Sequence, residues 1–123
     1  MPTNEIYSIG HSTLPIDEFL GMLDSFAISM LVDIRRYPGS RKHQQYDQEN
    51  LKETLKKHHI AYCHMEELGG RRKPKKDSKN IGWKNLSFRG YADYMETEEF
   101  KNGIRILEDI AIKQTTVFMC SEA

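Results

Sequence analysis

The chain has 123 residues, 18 Lys and Arg against 18 Asp and Glu, five His and two Cys. That length suits one domain over residues 1–123, with roughly two-thirds of the unfolded surface available for burial. Balanced charge with 38% hydrophobic content excludes a disordered tail and nonspecific nucleic-acid binding over the whole surface, and no apolar run reaches the ~18–20 residues that span a bilayer.

The first residues, Met1-Pro2-Thr3-Asn4-Glu5, carry no basic n-region and no apolar h-region, so no secretory signal is expected. Two Cys without framework spacing point to a reducing compartment. The expected location is cytoplasmic. Residues 6–9 form a short β-prone run that ends at Gly10-His11-Ser12. Pro15 suits a first helical position, and Asp17 and Glu18 fall in the first turn, where acids favour the helix dipole. Ile16, Phe19, Leu20, Leu23 and Phe26 recur at helical spacing. Residues 28–34 are almost continuously apolar and β-branched at their end. That pattern predicts a strand buried on both faces.

Pro38-Gly39-Ser40 marks a turn, and Asp47 suits an N-cap. Leu51 and Leu55 predict a second, more exposed helix, and residues 60–65 a third strand. A long loop is expected from residue 66 to residue 86. Within it, residues 71–79 carry six basic residues against one acid. That stretch is therefore +5 and the remainder −5. A loop of this length in a compact domain is usually functional or mobile. Residues 90–95 read as a short helix. Thr97 caps a longer one, whose buried stripe is Phe100, Ile104, Leu107 and Ala111. Residues 115–119 form the last strand.

Strands alternating with helices predict an α/β fold. The expected architecture is an open, mainly parallel sheet of about four strands with flanking helices, Rossmann-like. No covering helix follows the last strand, so a C-terminal truncation is expected. An uncovered edge strand is expected to favour a homodimer.

Open parallel sheets bind ligands at the carboxyl ends of their strands. Those ends offer His11 and Ser12, then Asp33, Arg35 and Arg36, then His64, Glu66 and Glu67, then Cys120, Ser121 and Glu122. Cys120 has two readings. A loop-to-helix junction would favour a thiolate nucleophile, whereas Cys is also among the most buried residue types. Cys63, inside a strand, is expected to be structural. Arg35, Arg36, Arg41, Arg71 and Arg89 suit an anion pocket, because guanidinium binds phosphate bidentately. For Arg35 the bland alternative is an ion pair with Asp33. The basic stretch reads equally as a solvated loop or as a nucleic-acid contact. Trp83, Phe88, Tyr91 and Tyr94 suit base stacking or plain packing. No metal-ligand spacing and no glycine-rich nucleotide fingerprint occurs, so neither a metal nor a cofactor is expected.

The ordered motifs carry a resemblance. Ser8-Ile9-Gly10-His11-Ser12-Thr13 opens it. Leu31-Val32-Asp33-Ile34-Arg35 and Tyr37-Pro38-Gly39-Ser40-Arg41 follow. Glu67-Leu68-Gly69-Gly70-Arg71-Arg72, then Ser87-Phe88-Arg89-Gly90-Tyr91-Ala92-Asp93-Tyr94-Met95, then Met119-Cys120-Ser121-Glu122 complete it. Over nearly the whole chain they resemble the domain of unknown function 488 family. The resemblance implies a cytoplasmic bacterial or archaeal α/β domain with no agreed activity. It also implies a later Cys-His-Arg element and a final helix, neither of which this chain carries; if the family's active centre pairs Cys120 and Glu122 with that element, this chain holds half a site.

The expected function is an enzyme acting on a phosphate-bearing substrate, a nucleotide or nucleic acid. Cys120, Glu122 and His11 would do the chemistry. Ser12, Asp33, Arg35, Arg36, Arg41, Arg71, Arg89 and Tyr91 would bind substrate. The alternatives are a non-catalytic nucleic-acid-binding module using residues 71–79 and a truncated, inactive domain.

Overall fold

A computed structural model describes residues 6–39, 42–69 and 86–120. Four strands form one sheet in the order β1-β4-β2-β3, and every pairing is parallel. They are β1 (Ile6–Gly10), β2 (Met30–Asp33), β3 (Ala61–His64) and β4 (Thr116–Cys120). The helices are α1 (Ile16–Ser25), α2 (Gln48–Lys57), α3 (Leu86–Met95) and α4 (Glu98–Lys113). The alternating order and the parallel sheet are those the sequence predicts. Among the described residues, no helix is long and apolar enough to cross a membrane.

Side-chain alternation along the strands assigns the helices to faces. Leu31 of β2 and Val117 and Met119 of β4 share one core with Phe19 and Leu23 of α1 and Leu51 and Leu55 of α2. Val32 of β2 lies in a second core with Leu107 of α4, and Phe118 of β4 packs against it. Leu31 and Val32 are both fully buried, on opposite faces. Each such aliphatic side chain contributes about 1.5–3 kcal/mol. The apolar run at residues 28–34 thus does become a two-sided strand, shortened to Met30–Asp33.

α2 is the exposed helix that its Lys-rich and Glu-rich sequence predicts: Leu51 and Leu55 are fully buried, and most of its other residues are exposed. Two leucines four apart suffice to bury a helix along a narrow stripe. Several boundaries differ from expectation. Asp47 occupies the N-cap position of α2, but its side chain makes no capping bond. The expected short helix at residues 90–95 begins earlier, at Leu86. Gly90 reads as punctuation in sequence, yet it is a buried helical position here. The long loop is also shorter at its start, where Glu66–Leu68 form a 3-10 turn. Thr97 caps α4 as expected, accepting from Phe100 N at 3.3 Å.

Gly21 lies inside α1 and an added Cβ would meet nothing within 4 Å. Gly21→Ala is therefore expected to raise stability by about 0.8–1 kcal/mol, because a helical glycine forfeits backbone entropy for no contact. Urea denaturation of the two proteins measures it.

Candidate active site

The segments that follow β1 and β2 approach each other across the end of β4, over the α1 and α2 face, through the side chains of His11 and Arg35. Asp33, the last residue of β2, is fully buried, and Arg35 is 7% exposed. Burial of either charge alone would be costly, so their pairing decides the local structure. The Arg35 guanidinium forks onto the carboxylate. Nε donates to Asp33 Oδ1 at 2.9 Å and Nη2 to Oδ2 at 2.7 Å. The Arg35 backbone N–H adds a third bond, to Oδ1 at 3.1 Å. Tyr62 O–H of β3 donates to Oδ2 at 2.6 Å. Burial, then this bond to Asp33, raises the Tyr62 pKa well above its usual value.

Arg35 also reaches away from Asp33. Its Nη1 donates to the Tyr46 carbonyl at 2.7 Å and faces His11 Nε2 at 3.5 Å. The His11 ring stacks on Tyr46, with centroids 4.2 Å apart. Tyr46 O–H donates to the Leu14 carbonyl at 2.7 Å. Burial, then the Glu18 charge, pushes its pKa up to about 12. His11 Nδ1 lies 2.9 Å from the Ser12 carbonyl. A carbonyl only accepts, so Nδ1 carries the proton and Nε2 keeps its lone pair toward Arg35. Burial pushes the His11 pKa below its ordinary 6.5. The Ser12 carbonyl opposes that, Arg35 and His43 add to it, and Asp33 opposes it again.

Cys120 ends β4 opposite Gly10, and its carbonyl accepts from His11 N at 3.1 Å. By strand alternation Cys120 shares the face of Phe118, the α4 side. The His11 ring, stacked on Tyr46, is on the other side. His11, Arg35 and Cys120 are therefore immediate neighbours, but the thiol and the imidazole leave the sheet on opposite faces. Ser12 is half-buried with φ of 43°. The Arg36 guanidinium lies 5.4 Å over the Tyr37 ring. Tyr91 stands apart from this cluster. Its O–H donates to the Leu68 carbonyl at 2.7 Å, and its ring packs on Phe100 of α4. Glu122, Arg41, Arg71, the Arg89 side chain and the basic stretch 71–79 lie outside the described residues. Among the described residues, no three His, Cys, Asp or Glu side chains cluster as metal ligands.

Cys63 packs against the Val32 core. Burial, then Glu67, raises its pKa. Both observations suit a structural thiol.

Sequence reasoning leaves Tyr46 and Tyr62 out of the site and names His64 only among the residues at the strand ends, without a role. Tyr62 and His64 carry a signal, since their spacing of two places both on the face of Asp33. His64 Nε2 donates to the Arg35 carbonyl at 2.6 Å. Tyr46 carries none, because Arg35 uses its backbone carbonyl.

Against known families, residues 15–123 match the model described as Domain of unknown function DUF488. The chain belongs to the DUF488 family. The matched span of this DUF488 chain holds Asp33, Arg35, Arg36 and Cys120, while His11 and Ser12 lie just before it. No curated protein and no solved structure matches the chain.

Proposed function

We propose that this DUF488 chain is an enzyme acting on a phosphate-bearing substrate, a nucleotide or nucleic acid, at the carboxyl edge of its sheet. One observation carries the reading. At that edge the segments after β1 and β2 and the end of β4 converge: the His11 ring faces Arg35, and the His11 backbone N–H donates to the Cys120 carbonyl.

In this reading Cys120 is the nucleophile or acid–base group with Glu122 assisting proton transfer, while His11, its ring on the other face, organises the edge through Arg35 and Tyr46. Arg36, with Arg41, Arg71 and Arg89, holds the anion, and Ser12 contributes a polar contact. Arg35 is a positioning residue, since Asp33 already occupies its fork. The substrate would lie across the edge over Gly10, whose missing side chain leaves room beside Cys120.

Iodoacetamide labelling followed by peptide mass spectrometry tests this. Cys120 is expected to react about tenfold or more faster than Cys63, and AMP or inorganic phosphate is expected to slow it. An unreactive Cys120, or one indifferent to both probes, would end the nucleophile role. Oligonucleotide binding that weakens steeply with salt and is lost on deleting residues 73–79, without any protection of Cys120, would favour the non-catalytic binding module instead.

A further inference from the structure

We propose that His11 is a proton-operated latch on this edge: neutral, it ties the turn after β1 to Arg35 and Tyr46, and protonated, it lets that turn go. The inference deepens the reading of the edge as the working site, since it supplies that site with a regulator.

The closed geometry favours the neutral ring. His11 is 4% exposed, and its Nδ1–H is committed to the Ser12 carbonyl. A second proton could enter only at Nε2, which faces the Arg35 guanidinium at 3.5 Å. Two cations would then stand together at a buried position, and Arg35 cannot yield its own proton. Nor can it swing away, because Asp33 and the Tyr46 carbonyl hold three of its nitrogens. The groups around His11 are Arg35 after β2, Asp33 at the end of β2, and His43 and Tyr46 in the turn before α2. Asp33 alone favours the proton among the charges, and its carboxylate is already neutralised by Arg35.

The turn is built to move when the contact fails. Ser12 holds φ of 43°, a conformation that costs a residue with a Cβ. Leu14 N donates to the His11 carbonyl at 2.9 Å, and Tyr46 O–H donates to the Leu14 carbonyl. The turn over residues 11–14 is thus held by the His11–Tyr46 stack and these two bonds, and losing the stack removes the tie at its His11 end. The sign follows from linkage. A histidine whose pKa is lowered on folding contributes fully above 6.5 and loses that contribution as pH falls below it.

The test is an NMR titration of the intact protein with amide exchange. The His11 ring is expected to titrate below 6.5. Leu14 amide protection, corrected for intrinsic exchange, is expected to fall about tenfold between about pH 7 and pH 5, while Val32 holds. His11→Gln keeps a neutral acceptor toward Arg35 and is expected to abolish that fall. A His11 ring titrating at or above 6.5, a Leu14 amide that ignores pH, or an unaltered fall in His11→Gln would overturn the latch. If His11→Gln does not fold, the wild-type titration and exchange decide alone. Neither measurement involves a substrate, so the latch and the enzymatic reading fail separately.

Discussion

Asp33→Ala is expected to lower folding stability by about 3–5 kcal/mol, because it strands a buried guanidinium. Urea denaturation checks this as a lower midpoint at an unchanged slope. The size follows from what the carboxylate holds. It accepts from Arg35 Nε, Nη2 and backbone N and from Tyr62 O–H. Removing it leaves four donors short, two of them on the guanidinium of Arg35, a residue only 7% exposed. Arg35→Met in the same background is expected to restore part of the loss, since a buried ion pair contributes little beyond satisfying its own members. The double variant should therefore be more stable than the sum of the two single losses predicts. Strict additivity would show that Asp33 and Arg35 stabilise the fold independently.

Gly69→Ala is the second large effect, expected at about 1–3 kcal/mol by overpacking. An added Cβ would collide with the Ile34 carbonyl oxygen and lie 2.9 Å from Arg36 N. Both atoms are backbone, and both belong to the segment that carries Arg35. Neither can rotate away as a side chain would. The connection after β3 must then retreat from the connection after β2. Gly103→Ala is the informative contrast. Its Cβ would meet the ends of the Leu68 and Glu67 side chains, the nearest being Leu68 Cδ2 at 2.9 Å. Those ends can give way, so a smaller loss is expected. Thermal unfolding of both variants beside Gly21→Ala ranks backbone obstruction, side-chain obstruction and open space. Equal losses for Gly69→Ala and Gly103→Ala would show that the backbone contact has no special cost.

The fold was legible wherever one short pattern had one physical solution. The run at residues 28–34 could satisfy its apolar side chains only between two layers, and Leu31 and Val32 do face separate cores. Thr97 followed by Glu98 and Glu99 could only begin a helix. The start of α3 was not legible. Residues 86–89 mix good and middling helix formers without a clear period, and Gly90 looks like a stop. At the site, His11, Asp33 and Arg35 followed from the rule about strand ends. Their mutual arrangement did not. The choice between an Arg35 open to an anion and one closed on Asp33 depends on burial, which no local pattern encodes. The Tyr46 carbonyl is further out of reach, since every residue has one.

The strand order has a consequence for how the molecule is made. β4 is the last described strand in sequence, yet it lies between β1 and β2. Until it arrives, β1 has no neighbour in the ladder, and β2 pairs only with β3. On the ribosome the first strand must therefore wait while more than a hundred residues are added, several seconds at ~5–20 residues per second. Long-range pairing of this kind also slows refolding of the free chain. His11 follows the strand that waits, and Asp33 ends the strand on the other side of the gap. Insertion of β4 is thus the step that brings the two halves of the site together, so the site assembles with the closing of the sheet.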